Sequence, residues 1–336
     1  MLNNVYIVES PTQLMSAIEA KNTQSGKNTL IVNYGNSNRV ENQKQIQQLV
    51  NSSVWDHVFR IRQSSNQYLN LFLFLFYLLK FRLKFNKSKT KVCIGEYRNY
   101  FFCLIAKVVS KEKIVLLDDG SVTIMLQKKH FSKGVGLRSY YKNTKSYILF
   151  LIYSYLFAFD FDDSPPNLFS VFNLDAWLFS QQKNIRRKSI PNEVSLLDRF
   201  YFFGAKYSEA GLLDLKVELE LLKNAFDYSY KKYGKAVVYI SHRDDSTEKL
   251  EVISSLGVEV KSLGQPCEEY FKIHECAPRY IGGFYSTSLI SLPSMFKVDS
   301  VISFYLTKYL TTELSKKNVS YIYEYLESIG TEVVQL

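Results

Sequence analysis

Two adjacent carboxylates, Asp118 and Asp119, follow the apolar run 114–117 and precede Gly120. An acid at the carboxyl end of an interior strand stands where open α/β sheets keep their reacting groups. A carboxylate there can take the proton of a hydroxyl nucleophile, an effect worth roughly 10²–10⁴ in rate. Adjacent acids repel, so one of the pair is expected to have a raised pKa, as a base working near neutrality needs. Four other short segments put polar side chains in the same kind of place: Glu9-Ser10-Pro11-Thr12-Gln13, Ser241-His242-Arg243, Pro266-Cys267-Glu268-Glu269 and Tyr285-Ser286-Thr287-Ser288. His242 beside Arg243 can offer a proton or a positive charge to a departing phosphate. Ser286 and Thr287 at a helix start combine hydroxyls with the positive end of the helix dipole and form an anion seat. Glu268 can accept hydrogen bonds from a ribose diol. Each segment also has a plain structural reading: Asp-Asp-Gly is a common turn, His242 a satisfied histidine, Ser286-Thr287 an N-cap, Ser10-Pro11 the start of a helix, and Glu268-Glu269 first-turn acids. The joint arrangement favours the chemical reading.

The elements that must present these segments alternate along the chain. Apolar runs at 5–9, 29–33, 57–61, 91–94 and 113–117 read as strands, with helices at 12–21, 43–50, 68–85 and 101–109. Such alternation favours a parallel sheet covered by helices on both faces. From 127 to about 199 the rhythm is lost apart from an aromatic helix at 147–159, and the basic run 183–191 is read as the connection between domains. The rhythm returns with helices at 212–233, 247–255, 268–274, 286–292 and 321–329. Strands are expected at 236–240, 258–262, 280–284, 301–304 and in the closing VVQL. Neither GxGxxG nor GxxxxGK[ST] occurs, so the dinucleotide fingerprint and the phosphate loop of NTPases do not apply.

At 336 residues, with 46% hydrophobic and 22% charged, the chain has a globular composition and the length of two ordinary domains. A formal charge of +10 points to an anionic partner: a nucleotide-linked substrate, a phospholipid surface or a nucleic acid. The 25 tyrosines and 24 phenylalanines fall mostly in apolar runs and do not alternate with arginines, which speaks for core and against nucleic acid. Cys93, Cys103, Cys267 and Cys276 form no CxxC pair, and His57, His130, His242 and His274 are scattered. A reduced, cytoplasmic, metal-free protein is therefore expected. No signal peptide is read at the start, where residues 1–4 lead straight into VYIVE. The apolar stretches 69–79 and 147–159 fall short of the roughly 20 residues that cross a bilayer. They are either buried core helices or interfacial helices at the inner face of the cytoplasmic membrane. In the second case Lys80, Arg82, Lys84, Lys87, Lys89 and Lys91 meet acidic headgroups.

In chain order, a strand ending in LDDG, a strand ending in SH, a P-x-E and a strand followed by FYSTSL resemble the bacterial sialyltransferases. The likeness is closest to the capsular polysialyltransferase-like group, which also opens with an ESPxQL segment, here ESPTQL. The resemblance spans residues 9–289. It implies a GT-B fold of the α/β class, with two Rossmann-like domains facing across a cleft. The expected domains are 1–190, on the acceptor side with the aromatic and basic helices, and 191–336, which binds the donor and whose last helix packs back on the first. The donor implied is CMP-sialic acid or a related CMP-nonulosonate, with no metal and no other cofactor. The acceptor implied is a hydroxyl of a bacterial surface glycan, capsule or lipooligosaccharide. Position by position, Asp119 is implied as the base that deprotonates the acceptor, with Asp118 the secondary candidate. His242 is implied as the acid or phosphate ligand, Glu268 as the ribose contact, and Ser286 and Thr287 as phosphate contacts. Ser10 and Gln13 join the donor side. Direct displacement by one base implies inversion. Arg243 departs from the His-Pro pattern of related families and is itself a candidate for phosphate or carboxylate. Acceptor choice is assigned to 96–100 and 127–144, with Glu96 and Arg98 as candidates. Two other readings stay open: a GT-B transferase using a UDP- or GDP-sugar, and a basic non-enzymatic protein that binds anions or membrane. The sequence does not speak to oligomeric state.

Overall fold

A computed structural model describes residues 2–34, 40–61, 67–160, 163–186 and 191–336. The chain divides into two compact units, Met1–Arg186 and Arg187–Leu336. Residues 187–190 of the basic run read as a connection lie outside the described residues.

In the first unit the order is β1 (Asn3–Val8), α1 (Pro11–Asn22), β2 (Lys27–Asn33), α2 (Val40–Asn51), β3 (His57–Ile61), α3 (Gln67–Lys84), β4 (Thr90–Ile94) and α4 (Tyr100–Val109). Then follow β5 (Val115–Leu117), α5 (Ser121–Lys129), α6 (Leu137–Tyr141), α7 (Ser146–Phe157) and β6 (Asn167–Phe169). All six strands pair in parallel in the order β3-β2-β1-β4-β5-β6. A parallel strand covered on both faces must be apolar on both faces, and Val5, Tyr6, Ile7 and Val8 are all fully buried. Helix starts follow local chemistry. The Ser10 hydroxyl accepts from the Gln13 amide, with Pro11 in the first turn of α1, and the Asn99 side chain accepts from the Phe101 amide at the head of α4. Helix α6 and strand β6 lie in the stretch where the sequence shows no rhythm, because they are short and separated by turns, and α5, which runs into its start, was not expected either.

The second unit runs β7 (Ser195–Phe203), α8 (Leu215–Tyr233), β8 (Val237–Ile240), α9 (Thr247–Ser255), β9 (Glu259–Lys261), α10 (Cys267–Ile273), β10 (Cys276–Gly283), α11 (Ser288–Met295), β11 (Ser300–Tyr305), α12 (Glu313–Ser328) and β12 (Glu332–Gln335). Its parallel sheet is ordered β9-β8-β7-β10-β11-β12, the first unit's order repeated. Strand β7 is central yet absent from the sequence-based reading, which treated the chain as irregular up to about 199. The charged pair Asp198-Arg199 breaks its apolar run. In the structure these residues sit mid-strand, just before its buried half, Asp198 with Lys235 and Arg279 and Arg199 with Glu259, while Phe200, Phe202 and Phe203 are buried. Helix α12 starts well before the expected 321, capped by Thr312, whose hydroxyl accepts from the Ser315 amide at 3.1 Å. Its polar first turns read as loop because they face solvent.

In both sheets the order reverses beside the first strand, between β1 and β4 and between β7 and β10. Open α/β sheets bind ligands outside the carboxyl ends of the strands at such points. Among the described residues no helix is long and apolar enough to cross a membrane.

Candidate functional site

The first unit gathers its polar side chains at this edge. Gln13, 2% exposed in the first turn of α1, accepts from the Glu9 amide through Oε1 (2.8 Å). That bond turns its Nε2 toward Asp119 Oδ1, also at 2.8 Å. The space it crosses is left by Gly95 at the end of β4, where a Cβ would lie 2.3 Å from Gln13 Oε1. The other Asp119 oxygen faces Arg98 Nη2 at 3.4 Å. Arg98 belongs mainly to the buried Glu96, with Nε at 2.9 and 3.0 Å from the two carboxylate oxygens and Nη2 also in contact. The Asp119 amide donates to Thr123 Oγ1 at 2.9 Å. Burial first, and then the Glu96 charge, push the Asp119 carboxyl up to about 8, against the Gln13 hydrogen bond and the Arg98 charge.

Asp118 points elsewhere. Its Oδ2 accepts from the Val171 amide at 2.7 Å and its own amide donates to Ser16 Oγ at 3.3 Å, so it ties β5 to the segment after β6 and to α1. Burial raises it to about 6, with Ser170 and Val171 opposing. Mutual repulsion of the two acids was the expected source of a raised value. Burial and Glu96 supply it for Asp119, because the two side chains diverge from the strand end. Glu9 accepts from Asn33 (3.0 Å) and Asn99 (3.1 Å), which joins the ends of β1 and β2 to the head of α4. Tyr140 of α6 borders the same group. Its ring meets Tyr97 edge-on at 5.3 Å and His130 at 5.1 Å, and its hydroxyl feels the charges of both Arg98 and Glu96. Gly95 and Tyr140 were not picked out from the sequence. A glycine directly after the VCI run is the one signal that marked the first.

In the second unit His242 follows β8 in a turn held from beneath. Its amide donates to Asp245 Oδ2 at 2.8 Å, and its Nδ1 accepts from the Asp244 amide at 3.1 Å, which leaves the ring proton on Nε2. Burial first, and then Arg243, lower its pKa to about 4, so it is a neutral hydrogen-bond donor at pH 7. The fully buried Lys249 contacts Asp245 Oδ1 at 3.0 Å and Glu218, and donates to the Ala205 carbonyl at 2.8 Å. Asp245 also accepts from the Tyr239 hydroxyl at 3.0 Å. Asp245 and Lys249 were not expected from the sequence. Their i, i+4 spacing was the available sign.

The segments at α10 and α11 come together. Cys267 Sγ lies 3.2 Å from Ser288 Oγ, and the Ser291 hydroxyl donates to Glu268 Oε1. Ser286 Oγ accepts from the Ser288 amide at 3.4 Å, and the Thr287 carbonyl accepts from Ile290 at 2.9 Å, so both open α11. Gly282 just before them admits the Phe200 ring from β7, whose Cζ would stand 2.4 Å from an added Cβ. His242 and Arg243 leave β8, two strands from β10 in the same sheet.

No protein-family model matches the sequence, and no curated protein matches it. Solved structures do match in fold. An α/β-galactoside α-2,3-sialyltransferase from Photobacterium phosphoreum aligns over 99% of this chain and 98% of its own, with a TM-score of 0.52 and 12% identity. A 2,6-sialyltransferase from Photobacterium sp. JT-ISH-224, solved with CMP and lactose, covers 98% of this chain and 78% of its own, with a TM-score of 0.52 and 10% identity. The UDP-GlcNAc 2-epimerase of Methanocaldococcus jannaschii covers 100% and 88%, with a TM-score of 0.51 and 11% identity. The chain has the GT-B fold of these proteins.

Proposed function

We propose that the chain is an inverting, metal-independent sialyltransferase that moves a nonulosonic acid from a CMP-activated donor to a hydroxyl of a bacterial surface glycan, capsule or lipooligosaccharide. The observation that carries this reading is Asp119: a carboxylate at the strand end, raised toward neutrality, with one oxygen held by Gln13 and the other facing Arg98. Such a base takes the acceptor proton as the hydroxyl oxygen bonds to the anomeric carbon. The bond from that carbon to the CMP phosphate breaks, and its electron pair leaves on the phosphate oxygen. His242 offers Nε2–H to that oxygen and Arg243 offers charge. Its neutral ring suits hydrogen-bond donation, and an arriving phosphate anion raises its pKa. Ser286 and Thr287 add hydroxyls at the head of α11, and Glu268 takes the ribose. Ser10, which caps α1, and Gln13 in its first turn are further donor-side candidates. Glu96, Arg98 and Tyr140 border the acceptor. The two Photobacterium sialyltransferases, one solved with CMP and lactose, support the donor and acceptor classes. The epimerase supports a second reading, a UDP-sugar transferase on the same fold.

The test uses the full chain with CMP-sialic acid and lactose. Wild type releases CMP and sialylates the acceptor, Asp119→Asn falls by about 10²-fold or more, and EDTA leaves turnover unchanged. Protection from heat by UDP or GDP and not by CMP would sink the sialyl reading in favour of the second.

A further inference from the structure

Two helices of the first unit are apolar on both sides. α3 turns Phe74, Leu78 and Phe81 inward, while Leu69, Phe72, Phe76, Leu79 and Leu83 recur at helical spacing along its outer side, 48–87% exposed. α7 does the same, with Phe150, Tyr153 and Phe157 buried and Ile148, Leu151, Ile152, Tyr155 and Leu156 44–87% exposed. The helices are neighbours over α4, because the Phe74 ring lies 3.8 Å from that of Phe101 and 5.9 Å from that of Tyr153. Neither helix contains an aspartate or a glutamate. Single exposed apolar residues are ordinary, whereas two adjacent stripes of them mark an interaction surface.

A cavity of about 670 Å³ opens where both helices end, lined by Arg82, Leu83, Lys84, Lys87, Lys111 and Phe157 among others. Leu83 belongs both to the exposed stripe of α3 and to this cavity, so the apolar face runs directly into a basic pocket. The cations there repel one another: after burial, Arg82 and Lys111 are the next causes that lower the Lys87 ammonium. An anion in the pocket relieves that repulsion. An interfacial helix with basic residues at its border suits an acidic lipid surface, because apolar side chains enter the acyl boundary while the cations meet headgroup phosphates.

We propose that this face docks the first unit on an anionic phospholipid bilayer. The outer stripes of α3 and α7 enter the acyl boundary, and a lipid phosphate sits among Arg82, Lys84, Lys87 and Lys111. The docking is independent of which sugar is transferred and is read without any activity assay. The experiment is flotation of the full chain with vesicles of phosphatidylcholine alone and of phosphatidylcholine with phosphatidylglycerol. Wild type binds the second, and the binding weakens as salt rises. Arg82→Ala/Lys111→Ala loses roughly 25-fold in affinity for the acidic vesicles, about fivefold per basic residue. Phe72→Ser/Leu83→Ser, at positions 68% and 87% exposed, loses at least about tenfold while its melting curve stays that of wild type. Absence of vesicle binding by wild type overturns the proposal. So does a solution dimer that the Phe72→Ser/Leu83→Ser variant converts to monomer without any vesicle binding, which would make a second copy the occupant.

Discussion

Asp118 and Asp119 are neighbours in sequence with separate surroundings, and their chemistry follows from which way each side chain turns. Asp118 closes backbone hydrogen bonds at Val171, while Asp119 stands with Gln13 and Arg98. A base raised to about 8 is mostly protonated below that pH, so transfer should rise with pH and level off near 8. The Gln13 hydrogen bond favours the ionised form, and Gln13→Ala should therefore move this limb to higher pH, read from the pH profile of kcat. The same shift bears on stability. The folded value lies above the unfolded one, so ionising Asp119 opposes folding, and its contribution falls as pH rises from about 4 to about 8. Asp118 contributes in the same sense up to about 6. Urea unfolding of Asp119→Asn should accordingly show a flatter stability slope between pH 6 and 8 than wild type. Gly95→Ala places a Cβ against Gln13, and should lower stability by about 1–3 kcal/mol and kcat together, measured by denaturation and turnover.

The elements matter through their ends. Strand β8 delivers His242, but the turn that aims it is held by Asp245, which is itself charge-balanced by Lys249 from the first turn of α9. Lys249→Met leaves Asp245 and Glu218 buried without their cation, a loss of about 3–5 kcal/mol that urea denaturation will register. In β10, Gly282 leaves the room that the Phe200 ring of β7 fills, four residues before the Ser286-Thr287 pair at the head of α11. Gly95, directly after β4, leaves room for Gln13 in the same way.

At the scale of the whole molecule, one sheet order is built twice from segments without detectable sequence repetition. The proposed base follows β5 in the first unit, and His242, Arg243, Glu268, Ser286 and Thr287 of the proposed donor set belong to the second. Binding of the proposed donor should stabilise the fold by linkage. CMP at about 100 times its Kd should raise unfolding free energy by about 2.7 kcal/mol, seen as a higher melting temperature that UDP at the same concentration does not produce.

The alternation of strands and helices was legible because it is a local signal: apolar runs, and a serine and proline at the head of α1. LDDG, the SH pair and the FYSTS segment were legible for the same reason, as polar residues set at the ends of apolar runs. Strand β7 was not, since Asp198 and Arg199 interrupt its run and their charges are met by residues distant in sequence, Lys235, Glu259 and Arg279. Nor could a linear reading decide between a core and an interfacial fate for the helices at 68–85 and 147–159, because both have apolar residues all round and only the packing over α4 leaves one side of each uncovered. Which of two adjacent acids is raised further was likewise a tertiary decision. Gln13 reaches Asp119 across 106 positions of chain, and the Glu96–Arg98 pair comes from the segment between β4 and α4. Sequence determined that acids would stand at the end of β5. The fold decided what surrounds each of them, because burial and neighbouring charge are properties of the space around a side chain.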